Sequence, residues 1–90
     1  MRPLSPNFND RDGVAIDMLV IHYTGMRSCD EALERLCDPA AEVSAHYLID
    51  ETGEVTSLVD EAKRAWHAGV ASWRGHTNIN SRSIGIELVN

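Results

Sequence analysis

Residues 17–23 read Asp17-Met18-Leu19-Val20-Ile21-His22-Tyr23. The apolar part of this run is continuous rather than alternating, which is typical of a β-strand that is covered on both faces. Thr24 and Gly25 end the strand. His22 therefore lies at the carboxyl end of a strand, where ligand and metal sites form in open sheets.

The segment after this strand predicts one helix. Ser28 can cap its N-terminus, and Glu31 stands at the position that completes a capping box. Pro39 ends the helix, because the residue before a proline is pushed out of the helical conformation. One face of the helix is apolar at helical spacing and consists of Cys29, Leu33, Leu36 and Cys37.

Three more strands follow the helix. Residues 45–49 and 54–59 predict a hairpin, with a turn at residues 50–53 in which Gly53 is free to adopt positive φ. Residues 83–89 predict the last strand. The order of elements indicates an α/β fold with a mixed central β-sheet and flanking helices.

The remaining residues are interpreted as irregular. Residues 1–16 and 66–80 predict loops, and residues 60–65 are a short polar segment whose structure the pattern leaves open. One helix covers only one face of a sheet, and the first and last strands are too apolar to leave the other face in water. We therefore expect residues 1–90 to be the N-terminal part of a single domain whose fold is incomplete at the C-terminus and continues in helical sequence.

Charge and composition exclude several classes of partner. The net charge is −6, and the eight Lys and Arg residues are scattered, so no basic patch exists for a nucleic acid. No apolar run is long enough to cross a membrane. Residues 1–13 lack the apolar core of a signal peptide, so we expect a cytoplasmic protein, or a periplasmic one if a leader was removed. The oligomeric state is not determined by the sequence.

Two cysteines lie in the predicted helix. Cys29 and Cys37 are eight residues apart, which corresponds to about 12 Å along a helix. That distance is too long for a disulfide between them. We expect both to be small, buried apolar side chains.

His22 and Glu87 are the first candidates for chemistry. His22 is either a metal ligand or a hydrogen-bonded structural residue. Glu87 shares one face of its strand with Ser83 and Gly85, and a glutamate in so apolar a strand is unexpected. It is either an exposed strand residue or a partly buried carboxylate with a raised pKa, which could act as a general base.

A second group of candidates lies in the loop at residues 65–69 and at Trp73. Its aromatic rings, imidazoles and small residues suit a groove for a carbohydrate or peptide, although a tryptophan that anchors the loop would give the same pattern. His46 lies within a predicted strand and is interpreted as a structural histidine, and His76 as an exposed one.

Four segments together resemble the family of N-acetylmuramoyl-L-alanine amidases, phage amidase-type lysozymes and peptidoglycan recognition proteins. They span residues 19 to 88 in the order and spacing typical of that family. The segments are Leu19-Val20-Ile21-His22-Tyr23-Thr24, Val43-Ser44-Ala45-His46-Tyr47-Leu48-Ile49 followed by Gly53, Ala65-Trp66-His67-Ala68-Gly69, and Ser83-Ile84-Gly85-Ile86-Glu87-Leu88.

The resemblance implies an activity and a role for each candidate. The activity is zinc-dependent hydrolysis of the amide bond between N-acetylmuramic acid and L-alanine, in peptidoglycan or in muropeptides. His22 matches the first Zn²⁺ ligand, and Glu87 matches the catalytic glutamate. His46, Trp66 and His67 match positions beside the substrate groove.

This chain also departs from the family pattern. Members supply a second histidine and an aspartate or cysteine to zinc from a C-terminal segment, and no such residues follow Asn90 here. We therefore expect the 90 residues alone to be inactive. The alternative is a non-catalytic peptidoglycan-binding module, whose affinity for muropeptide would not depend on zinc.

Overall fold

The computed structural model describes residues 5–25, 28–68 and 78–89. In chain order the elements are β1 (Phe8–Asp10), β2 (Met18–Tyr23), α1 (Cys29–Leu36), a 3-10 turn (Pro39–Ala41), β3 (Tyr47–Ile49), β4 (Val55–Ser57), β5 (Lys63–Ala65), α2 (Ile79–Arg82) and β6 (Ser83–Leu88). None of the helices in these residues has the length and hydropathy of a membrane span.

The main sheet is mixed, as predicted. Its strand order is β2-β6-β3-β4. β6 pairs in parallel with β2 and with β3, and the β3–β4 hairpin is antiparallel. The hairpin turn contains Gly53 at φ +88°, a conformation that costs little only for a residue without Cβ.

Helix α1 covers one face of this sheet. Ser28 caps it by accepting a hydrogen bond from the backbone N–H of Glu31 at 3.2 Å, as the capping signal predicted. Ala32 and Leu36 on its inner face pack against the buried Leu48 of β3. Cys29 and Cys37 are free thiols that pack against the edge of this core. Both are half-buried rather than fully buried as predicted.

The N-terminal segment is more ordered than the prediction of a loop over residues 1–16. β1 pairs antiparallel with β5 and forms a second, two-stranded sheet. The polar segment at 60–65 thus contains a strand, and the end of the predicted loop at 66–80 contains the short helix α2. The sequence pattern did not predict these elements because they have three or four residues each, too few to show a periodic spacing of apolar residues. The β1–β5 pairing also joins parts of the chain that are distant in sequence.

The opposite face of the main sheet is not covered by the described residues, which contradicts the prediction that β2 is buried on both faces. The side chains of β2 alternate between half-buried and exposed. Leu19, Ile21 and Tyr23 are 62%, 54% and 69% exposed. The core therefore lies only between the sheet and α1, with Leu58, Val59, Ala65 and Val89 completing it.

Candidate active site

The candidate site lies at the carboxyl ends of β2 and β6. These strands run in parallel and in register, so His22 and Glu87 are directly paired. Paired residues of a parallel ladder point to the same face. That face is the one covered by α1, since Leu48 is in register with Glu87 on the other side and packs against the helix.

His67 reaches this pair from the loop that follows β5. Its Nδ1 lies 3.0 Å from the Nε2 of His22, and the two rings are in an edge-to-face arrangement with centroids 5.3 Å apart. The sequence carried no signal that His67 would approach His22. The structure thus brings His22, His67 and Glu87 together.

The loop position of His67 is set by three neighbours. The backbone N–H groups of His67 and Ala68 both donate to Oδ1 of Asn80, at 3.1 and 2.8 Å. The imidazole lies directly on Gly85, where a Cβ atom would be 2.3 Å from Cγ of the ring. Its Nε2 is 2.8 Å from the hydroxyl of Ser83. Only glycine at position 85 leaves room for the ring.

The electrostatics of the three groups differ. Burial, and to a lesser extent the neighbouring imidazole of His22, lowers the pKa of His67 to about 4. Burial raises the pKa of the half-buried Glu87, while His22 acts in the opposite direction. At neutral pH His67 is therefore uncharged, and Glu87 holds a proton more tightly than an exposed glutamate.

His46 occupies a different position from the predicted one. Its side chain is completely buried behind the site. Its Nδ1 accepts a hydrogen bond from the N–H of Gly85 at 3.0 Å, and its Nε2 lies 2.8 Å from the carbonyl of Lys63. Burial lowers its pKa. This geometry matches the structural interpretation and corrects the prediction of substrate contact, because no surface of the side chain is open to a ligand.

An open cleft of about 140 Å³ adjoins the pair of strands. Its wall includes Glu87, His67, Trp66 and, from α1, the exposed Arg35. Trp66 is also anchored, since its indole N–H donates to Oδ1 of Asn9 at 3.1 Å. Both interpretations of this residue, as groove wall and as loop anchor, are therefore compatible with its place.

Several structural residues of the site were not singled out from the sequence. Arg11 is buried, and its guanidinium donates to the carbonyls of Glu61, Ser81 and Ser83 at 2.9 to 3.0 Å. Ser83, Gly85 and Asn80 position His67. Isolated Arg, Ser, Gly and Asn residues carry no local signal of these contacts. The candidates Gly69, Trp73 and His76 lie outside the described residues.

The described residues place few side chains where they could bind a metal ion together. Within residues 5–25, 28–68 and 78–89, no group of three His, Cys, Asp or Glu side chains is placed to hold a metal ion. His22 fits the role of a single imidazole ligand, because it is half-buried and one of its two nitrogens faces away from His67.

The chain is similar to known amidases. The model of the N-acetylmuramoyl-L-alanine amidase family matches residues 12–90. The chain is 44% identical to the N-acetylmuramoyl-L-alanine amidase AmiD of Escherichia coli (strain K12) over 82 residues, which are 83% of this chain and 29% of AmiD.

Two solved structures share the fold. A selenomethionine derivative of AmpD superposes with a TM-score of 0.85 at 36% identity, covering 99% of this chain and 59% of that chain. E. coli AmiD in complex with the substrate anhydro-N-acetylmuramic acid-L-Ala-D-gamma-Glu-L-Lys superposes with a TM-score of 0.74 at 41% identity, covering 99% of this chain and 35% of that chain. The likeness confirms the α/β class, and this chain spans less than two thirds of each relative.

Proposed function

The chain belongs to the N-acetylmuramoyl-L-alanine amidase family, and we propose that the protein carrying it hydrolyses the amide bond between N-acetylmuramic acid and L-alanine in peptidoglycan or muropeptides. The in-register pairing of His22 with Glu87 at the open end of β2 and β6 carries this proposal. It places the imidazole of His22 beside the carboxylate of Glu87, whose pKa is raised and which lines the cleft. Amide hydrolysis needs both a group that polarises the carbonyl and a base for water.

Glu87 is the general base in this proposal. Its carboxyl group is half-buried, and burial raises its pKa toward the operating pH. Such a group can take a proton from the attacking water and return it to the leaving amine of L-alanine. Its place at the end of β6 holds it on a rigid strand rather than on a loop.

We further propose Zn²⁺ as the cofactor, with His22 as one ligand. Neutral imidazole is a preferred zinc ligand. The other ligands would come from outside the described residues, and the family resemblance implies a second histidine and an aspartate or cysteine. When bound, the zinc would supply Lewis-acid polarisation of the scissile carbonyl.

The cleft wall suits a muropeptide. The flat indole of Trp66 offers an apolar surface of the kind that packs against a sugar face. Arg35 brings a positive charge to the same wall, which would favour an acidic peptide stem. The substrate bound to the related AmiD contains D-gamma-Glu, a residue with a free carboxylate.

The test compares variants of the full protein that carries this chain. Zinc affinity is measured by calorimetry, and release of the peptide stem from an anhydro-muropeptide is followed by chromatography. We expect His22→Ala to abolish tight zinc binding. We expect Glu87→Gln to retain zinc and substrate affinity while kcat falls by about 100- to 10,000-fold.

The matched control is Glu54→Gln, which makes the same change at an exposed position before β4 and should leave kcat unchanged. Full hydrolytic activity in Glu87→Gln would show that Glu87 is not the general base. A wild-type protein that binds muropeptide but neither binds zinc nor releases the stem would contradict the proposed amidase activity. The chain would then be a non-catalytic peptidoglycan-binding module.

A further inference from the structure

A chain of hydrogen bonds connects α2 to His22. The hydroxyl of Ser83 lies 2.6 Å from the carbonyl of Ile79 and 2.8 Å from Nε2 of His67. The Nδ1 of His67 lies 3.0 Å from Nε2 of His22. Each contact is short enough to be a hydrogen bond, so the donor and the acceptor of each of these three hydrogen bonds can be assigned.

The carbonyl of Ile79 can only accept a hydrogen bond. The hydroxyl of Ser83 has one proton and donates it to that carbonyl, so its oxygen must accept from Nε2–H of His67. A neutral imidazole has one N–H. Nδ1 of His67 therefore carries a lone pair and accepts from His22.

This fixes the tautomer of His22. Its Nε2 must carry the proton that is donated to His67, and a neutral ring then has its lone pair on Nδ1. We propose that His67 is a positioning residue that holds His22 in this orientation and tautomer, with Nδ1 presented as the metal-binding nitrogen. The inference rests on the proposed role of His22 as a zinc ligand.

The surroundings of His67 suit a positioning role better than a direct contact with substrate. Both of its ring nitrogens are engaged within the protein, by Ser83 and His22. The ring is seated on Gly85, and the side chain of Asn80 accepts a hydrogen bond from the backbone N–H of His67. A ring fixed in this way can in turn fix its neighbour, which is what a partner of a metal-bound histidine does.

The first test observes the tautomer without zinc. Long-range ¹H–¹⁵N correlation spectra of the zinc-free protein are recorded at a pH at least about one unit above the ordinary histidine pKa of about 6.5. We expect His22 and His67 both to be protonated on Nε2. In Ser83→Ala, which removes the acceptor for His67 Nε2–H, the His67 signal should shift toward the other tautomer. A wild-type His22 with its proton on Nδ1 would overturn the proposal.

The second test measures zinc affinity in variants of His67. His67→Phe keeps a flat ring but removes the acceptor, and we expect zinc affinity to fall by about 10- to 100-fold. His67→Asn keeps a carbonyl oxygen at the position of Nδ1, since both atoms are bonded to Cγ, and should retain most of the affinity. Gly85→Ala leaves His67 intact but displaces its ring, and should lose affinity as His67→Phe does.

The outcomes separate this inference from the proposed function. Unchanged zinc affinity in His67→Phe, with wild-type binding intact, would overturn the positioning role alone. The absence of zinc binding by the wild-type protein would overturn the proposed cofactor and the positioning role with it. A loss in His67→Asn as large as in His67→Phe would show that an acceptor atom on Cγ does not hold His22, and would overturn the role assigned to the lone pair of Nδ1. His67→Leu serves as a smaller second variant if the phenyl ring prevents folding.

Discussion

His46 and His67 are both held in the neutral form by the atoms around them. Burial is the main cause that lowers the pKa of each, and for His67 the value is about 4. In His46 the Nδ1 atom faces the N–H of Gly85. A proton on that nitrogen would place two donors against each other, so the folded chain resists protonation at this position.

We expect the zinc-free chain to lose stability as the pH falls below about 6.5, the ordinary histidine pKa. The unfolded chain then takes up protons on both histidines while the folded chain does not. Above that pH the two neutral histidines make their full contribution to the free energy of unfolding. The contribution of His67 is lost as the pH falls toward about 4. Each histidine contributes a slope of at most about 1.4 kcal/mol per pH unit. Urea unfolding at a series of pH values measures it.

Two variants test the sign of this prediction. His67→Asn removes one of the two groups and should reduce the slope. The raised pKa of Glu87 acts in the opposite direction, because the folded chain binds that proton before the unfolded chain does. Glu87→Gln should therefore make the loss in acid steeper. A free energy of unfolding that is constant from pH 7.5 to pH 4.5 would contradict the assignment of neutral histidines.

At the scale of elements, the side chain of Arg11 connects three other segments of the chain. Its side chain is 5% exposed. Its guanidinium donates to the carbonyl of Glu61 before β5, to Ser81 in α2 and to Ser83 at the start of β6. One planar group with five N–H donors can satisfy carbonyls in several directions. Through α2 and β6, this contact also supports the residues that hold His67.

We expect Arg11→Ala to lower the free energy of unfolding by about 3 kcal/mol or more, because it leaves several part-buried carbonyls without donors. Arg11→Lys should recover only part of the loss, since an ammonium group cannot span the same set of acceptors. Thermal or urea unfolding gives both values. Arg35→Ala, at an exposed position on α1, is the control and should have a much smaller effect. An Arg11→Ala variant as stable as the wild type would show that water replaces the guanidinium.

At the scale of the whole molecule, the two faces of the main sheet are unequal. One face is covered by α1 and carries the site. The other is formed by apolar side chains of adjacent strands that lie in register, and we call it the open face. Its members are Leu19, Ile21, Tyr23, Tyr47, Ile49, Val55, Ile84, Ile86 and Leu88. Contiguous apolar surface of this kind favours association.

We therefore expect the 90-residue chain by itself to associate in a concentration-dependent way, as measured by sedimentation velocity. Leu19→Lys together with Ile21→Lys places two charges on the open face, along its edge strand β2, and should shift the chain toward monomer. Phe8→Lys changes an exposed apolar residue on the smaller sheet, 40% exposed, and should leave association unchanged. A wild-type chain that sediments as a monomer at all concentrations would contradict the prediction.

The sequence by itself determined the elements whose signals are local. The apolar run of β2, the cap at Ser28, the hairpin turn at Gly53 and the strand that carries Glu87 are each specified within a few residues, and the four family segments depend on the same short patterns. Only the tertiary structure decided which distant groups meet. The contact of His67 with His22 joins positions 45 residues apart, and the β1–β5 pairing depends on the register of two three-residue strands. Such contacts follow from the packing of the whole chain, because no property of the isolated segments distinguishes them from other pairings.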